Sequence, residues 1–166
     1  MRKDDVKLFF CLKCKKDLML EIFETNASAT DMNINEGVLC CQSCNIYYPI
    51  SDGIPFLLES GYYIEYFDVL SFVNKWKAKF DFTHYKLLAE KTIPEKMKQL
   101  NFYNEDSESY DELVSNSVFW RANDWNTLHR WIAELPKDGT ILDMGCGTGR
   151  CTIPLVKSGR NVIATD

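Results

Sequence analysis

The stretch Ile141-Leu142-Asp143-Met144-Gly145-Cys146-Gly147-Thr148-Gly149 decides the fold of the C-terminal part of this chain. A short apolar run enters an acidic residue and then glycine at every second position. Glycine lacks a Cβ, so the backbone turns sharply and admits a ligand closely. Cys151 to Lys157 reads as the start of a crossover helix, with Pro154 in the first turn, where its missing N–H breaks no internal bond. Gly159 suits a left-handed cap. A second apolar run, Asn161 to Thr165, closes on Asp166. Strand, glycine loop, helix and a strand ending in a carboxylate make the opening βαβ unit of a nucleotide-type binding fold.

The spacing separates cofactor classes. A dinucleotide fingerprint, G-x-G-x-x-G, needs glycine at position 150, which holds Arg150. The string Leu142 to Arg150 instead closely resembles the first motif of class I S-adenosylmethionine-dependent methyltransferases. That resemblance implies that Gly145, Gly147 and Gly149 underlie the methionine part of S-adenosyl-L-methionine. It implies further that Asp143 orients the ammonium group and that Asp166 accepts hydrogen bonds from the ribose hydroxyls. A carboxylate suits the last role because two hydroxyl donors meet two oxygens. Arg150 reads as a solvated helix residue, and Cys146 and Cys151 as small packing residues rather than nucleophiles.

Five of the seven cysteines lie near the N-terminus. Cys11-Leu12-Lys13-Cys14 and Cys41-Gln42-Ser43-Cys44 are two C-x-x-C pairs, and four thiolates from two tight turns can close a tetrahedral structural Zn²⁺ site. Their separation is longer than the usual roughly 15–20 residues, so the connecting hairpin must be extended. Asn45 tolerates the left-handed conformation that such knuckles need; Lys15 is less suited. Strand alternation points Cys40 and Cys41 to opposite faces, so one of the two reaches the metal. Regular spacing favours Cys41, with a C-x-x-x-C set through Cys40 left open.

Beyond the second pair, Asp52-Gly53 is a turn signal between two apolar runs. The string Cys41-x-x-Cys44-x-x-x-Tyr48-Pro49-Ile50-x-x-Gly53-Ile54-Pro55-x-Leu57-Leu58 is similar to a zinc-ribbon family. That family includes the small activator subunit of several tRNA, rRNA and release-factor methyltransferases, and resembles the N-terminal extension of many bacterial methyltransferases. The match departs from C-P-x-C by having Leu12 after the first cysteine.

The organisation expected is a zinc ribbon over residues 1–60, a helical linker or cap over 61–138, and the first βαβ unit of a methyltransferase domain over 139–166. The fold class is thus α/β, a Rossmann-like but incomplete start behind a β-rich ribbon. Helices are expected over Tyr66–Lys79 and Asp81–Lys91, near Pro94, weakly over Tyr110–Ser117, and over Asn123–Leu135. Asn101 to Ser109 reads as a loop. Trp125 and Trp131 fall on an apolar stripe and are expected in the core. Tyr103 and Tyr110-Asp111 resemble the tyrosine-bearing segment before the glycine motif of small-molecule methyltransferases. His84 and His129 have no partner at ligand or base spacing.

The chain has 166 residues, 46% of them apolar, with a net charge of −5. No apolar run approaches the ~20 residues of a membrane span, and the N-terminus lacks the apolar core of a signal peptide, so a cytoplasmic location is expected. No basic footprint for nucleic acid emerges, and Lys13, Lys15 and Lys16 read as a solvated loop.

The expected chemistry is in-line transfer of a methyl group from a sulfonium to an unidentified acceptor. Catalytic residues would lie beyond Asp166, so the chain reads as the N-terminal part of an enzyme, inactive alone, with 139–166 poorly ordered in isolation. The alternative is a noncatalytic zinc-ribbon adaptor that docks on a separate methyltransferase. A dinucleotide oxidoreductase is disfavoured by Arg150.

Overall fold

The computed structural model describes residues 1–27, 32–58, 67–87, 109, 110, 112 and 116–166, with backbone alone at 27, 32 and 118–125. It forms two compact units, Met1–Met97 and Lys98–Asp166.

The first unit is built on an antiparallel sheet of β1 (Met19–Ala27), β2 (Met32–Cys41), β3 (Ile46–Ser51) and β4 (Ile54–Pro55), in that order. A 3₁₀ turn over Lys3–Leu8 precedes it. Asp52 and Gly53 both have positive φ, 51° and 78°, as a two-residue hairpin between β3 and β4 requires. Pairing of Cys41 with Ile46 and of Met19 with Cys40 sets the register, with an irregularity around Glu24.

Alternation along the strands then sorts the side chains into two layers. Leu39, Cys41, Ile46, Tyr48 and Ile50 are buried together with Cys11, Leu18 and Ile34 on one face. Phe23, Val38, Cys40 and Tyr47 lie in the other layer.

Residues 67–87 close that second face. Helix α1 (Val69–Trp76) is capped by Asp68, whose Oδ1 accepts the Ser71 N–H at 2.9 Å. Eight residues are too few for an isolated helix to persist in water. Burial of Phe72 and Trp76, one turn apart, holds this one: the Trp76 ring lies 5.1 Å from that of Phe23, and Phe67, Phe80, Phe82 and Tyr85 pack around the cluster. Each such ring contributes roughly 1.5–3 kcal/mol by burial. Glu36, 6% exposed, is the buried charged residue among the described residues of the unit; it accepts Trp76 Nε1–H at 3.1 Å and Ser51 Oγ–H at 3.0 Å. Lys79 Nζ donates to the Phe23 carbonyl at 2.8 Å.

Two helices come out differently from the sequence expectation. The one expected over Tyr66–Lys79 is confined to Val69–Trp76. Of the one expected over Asp81–Lys91, residues 81–87 form a turn and a bridge instead. The Asp81 carboxylate accepts the Thr83 N–H at 2.9 Å, and such local bonding competes with helix formation. Lys86 exchanges backbone hydrogen bonds with Asn45 and Tyr47, which the edge of β3 leaves available. The expectations at Pro94, Tyr103 and Asp111, and that for Asn101 to Ser109 over residues 101–108, lie outside the described residues.

In the second unit, α2 spans Val118–Glu134, starting five residues before Asn123. Leu128, Ile132 and Leu135 are half-buried at helical spacing, whereas Trp131 is 59% exposed. Trp131 is thus not a core residue: it sits one position, about 100°, off the line of the buried stripe. The Trp125 side chain lies outside the description. Strands β5 (Thr140–Met144) and β6 (Asn161–Thr165) pair in parallel, joined by α3 (Thr152–Lys157). Gly159 takes φ 79°, its N–H bonds the Val156 carbonyl and that of Arg160 bonds Leu155, completing a left-handed helix cap. Arg160 Nη2 donates to the Ile132 and Leu135 carbonyls at 2.8 and 3.0 Å, placing a cation where the dipole of α2 favours it.

Candidate metal centre and glycine loop

Two knuckles converge on one face of the first unit. In the first, the Lys15 N–H returns to the Cys11 carbonyl and the Cys11 N–H bonds the Lys16 carbonyl, both at 2.8 Å. The second follows the end of β2. Asn45 has φ 51°, as expected, and Lys15 adopts φ 60° although its side chain disfavours that region. Lys16 Nζ donates to Ser43 Oγ at 3.1 Å across the two turns.

The Sγ atoms of Cys11, Cys14, Cys41 and Cys44 all lie within 4.8 Å of one another, and those of Cys14 and Cys41 are 3.5 Å apart. Tetrahedral zinc with Zn–S bonds of about 2.3 Å needs sulfurs about 3.8 Å apart, so the cluster is compatible with a structural zinc ion. Cys40 lies in the aromatic layer on the opposite face, where burial, aided by Glu21 and Cys41, pushes its thiol up to about 12.

The clustered thiols perturb one another. Burial raises the Cys11 thiol, but hydrogen bonds from Tyr48 and from the backbone of Cys14 and Lys13 outweigh it and bring it down to about 6. Cys41 is raised by burial and by its contacts with Cys14 and Cys11, and Cys44 is pushed up to about 12, chiefly by Cys14. A dication that displaces the shared protons relieves this competition. With all four positions taken by sulfur, such an ion has no open coordination site for catalysis.

In the second unit, Asp143 is half-buried near the end of β5, and its Oδ2 accepts the Thr152 hydroxyl from the start of α3. Gly145, Gly147 and Gly149 have φ of 73°, 49° and 88°. A Cβ at Gly145 or Gly147 would meet no atom within 4 Å, so glycine serves the backbone conformation there and the space above the loop is open. Two loop amides, those of Gly145 and Cys146, bond the Thr165 carbonyl at 2.7 and 3.0 Å, which ties the loop to the end of β6. Asp166 is exposed; its charge and that of Asp143, after burial, raise the Cys146 thiol, which argues against a nucleophilic cysteine there.

Sequence reasoning passed over Thr152 and Glu36, and read Tyr48 only as part of a motif. His84 and His129 are exposed, and among the described residues neither joins a ligand cluster. No helix, among the described residues, is long and apolar enough to cross a membrane.

Residues 10–53 match the family of Trm112p-like proteins, a match over the ribbon and about a quarter of the chain. The chain is also similar to the Bacillus subtilis (strain 168) protein described as "Putative methyltransferase YqeM": 41% identity over 58 residues, 34% of this chain and 21% of that protein. The chain thus spans about a fifth of the length of that relative.

Proposed function

We propose that the first unit is a noncatalytic zinc-ribbon adaptor that serves methyl transfer by docking on a methyltransferase. The observation that carries this is the closed four-sulfur cluster inside the segment that matches Trm112p-like proteins. The resemblance of that segment to methyltransferase activator subunits supplies the partner. Zinc here would be held by Cys11, Cys14, Cys41 and Cys44 and would fix the two knuckles.

A second reading is that the catalytic domain lies in the same chain, with residues 139–166 as the S-adenosyl-L-methionine-binding start of a class I methyltransferase. The parallel β5–α3–β6 unit and three positive-φ glycines, with open space above Gly145 and Gly147, favour it. In it, Asp143 would hold the ammonium group and Asp166 the ribose, while Gly145, Gly147 and Gly149 would let the cofactor approach. Either reading admits a small molecule, an RNA or a protein as the methyl acceptor.

The test is purification of tagged, zinc-loaded chain from cells, with labelled methyl transfer from S-adenosyl-L-methionine assayed in the eluate. Activity should elute with the chain and fall at least roughly tenfold with Cys14→Ser, the loss expected when the metal site is disrupted. If Asp143→Ala abolishes crosslinking of the chain itself to the cofactor, the domain acts in cis. Zinc-loaded chain that carries no methyl transfer, its own or a partner's, refutes both readings.

A further inference from the structure

Tyr48 stands in the middle of β3 with no solvent exposure, on the same face as Cys11 and Cys41. Its side chain crosses to the first knuckle, far away in sequence. Tyr48 Oη lies 3.0 Å from the Leu12 backbone nitrogen and 3.5 Å from Cys11 Sγ.

The chemistry of these groups orders the contacts. A backbone N–H only donates, so the phenol oxygen accepts from Leu12. A phenol has a single proton, and its acceptor capacity is what the amide uses. With a neutral Cys11 thiol, either the phenol or the sulfur can be the donor of the 3.5 Å contact. Once a metal takes the cluster, Cys11 is a thiolate, an acceptor only, and the direction O–H···S is settled.

We propose that Tyr48 is a positioning residue of the metal centre, its hydroxyl accepting from the Leu12 amide while donating to the Cys11 thiolate. One oxygen thus fixes both the knuckle backbone and the rotamer of its first ligand. Groups that hydrogen-bond metal ligands orient them and tune the metal, and their loss typically costs about 10–100-fold in affinity. The ring comes from β3, so the ligand on the N-terminal knuckle is oriented by the strand adjoining the second knuckle. The proposal rests on the zinc reading above.

The test compares the whole chain with Tyr48→Phe, loaded with cobalt(II) as an optical stand-in for zinc. The hydrogen bond stabilises the sulfur lone pair, so its loss should move the sulfur-to-cobalt charge-transfer band to longer wavelength. Zinc affinity, from chelator competition, should fall roughly tenfold or more. A purely structural role would leave the band where it is. An unmoved band with affinity within about twofold overturns the proposal and leaves the zinc reading standing. Wild-type chain that gives no tetrahedral cobalt spectrum fails the zinc reading itself. Should Tyr48→Phe not fold, the wild type loaded with cadmium-113 decides. A slowly exchanging Tyr48 hydroxyl proton, coupled to the metal through Cys11 sulfur, is expected; a hydroxyl in fast exchange with water overturns the proposal.

Discussion

Replacing Trp76 with phenylalanine should unfasten the segment that covers the aromatic face of the ribbon. Trp76 is 8% exposed and Glu36 6% exposed, and the indole N–H is, among the described residues, one of two donors that hold this carboxylate. A hydrogen bond to a charged group is worth about 1.5–3 kcal/mol when one partner is removed. The smaller ring also forfeits contacts to Phe23 worth about 1 kcal/mol. Together these give a loss of roughly 2.5–4 kcal/mol, large against a typical stability of about 5–15 kcal/mol. The assay is urea unfolding followed by far-ultraviolet circular dichroism at fixed zinc, because zinc bound to the native state alone raises apparent stability. A cycle with Glu36→Met adds the decisive comparison, since removing both polar partners should cost far less than the two single losses combined. A Trp76→Phe loss under about 1 kcal/mol, or strictly additive single and double variants, refutes the claim that this bond fastens the covering segment.

Three further outcomes follow from the same geometry. Cys14→Ser should abolish stoichiometric zinc in metal analysis, whereas Cys40→Ser should retain it and lose about 1–3 kcal/mol by burying a hydroxyl among aromatic rings. Arg160→Met should destabilise the second unit by about 1–2 kcal/mol in thermal unfolding, because the last carbonyls of α2 lose their cationic donor. The Ser71 amide holds the Asp68 carboxyl below its ordinary value. The cap is therefore fully present above the usual carboxylate pKa of about 3.9 and is lost as pH falls through the lower folded value. Hydrogen exchange at the Ser71 amide should accelerate, relative to its intrinsic rate, only in that acid range.

Features set by local chemistry were readable in advance. The Asp52-Gly53 turn, the left-handed Asn45 and the Gly159 cap each follow from what a single residue's backbone tolerates. The helices were read less well. A shorter α1 and the turn at 81–87 reflect partners distant in sequence, Glu36 for Trp76 and Asn45 and Tyr47 for Lys86, whereas Trp131 is exposed because it misses the half-buried line of its own helix. Lys15 shows the reverse, a residue held at φ 60° because both knuckles must converge.

By themselves, the residues and their spacing determined the paired cysteine knuckles, the alternating glycines and the turns between them, since those depend on covalent geometry and short-range bonding. Strand alternation already set Cys40 and Cys41 on opposite faces, but only the tertiary structure decided that Cys41 joins the sulfur cluster and that Tyr48 reaches Cys11. It alone also decided that residues 67–87 cover the aromatic face. These outcomes come from strand register and burial, and a register shift of one residue would exchange the faces without altering any local preference.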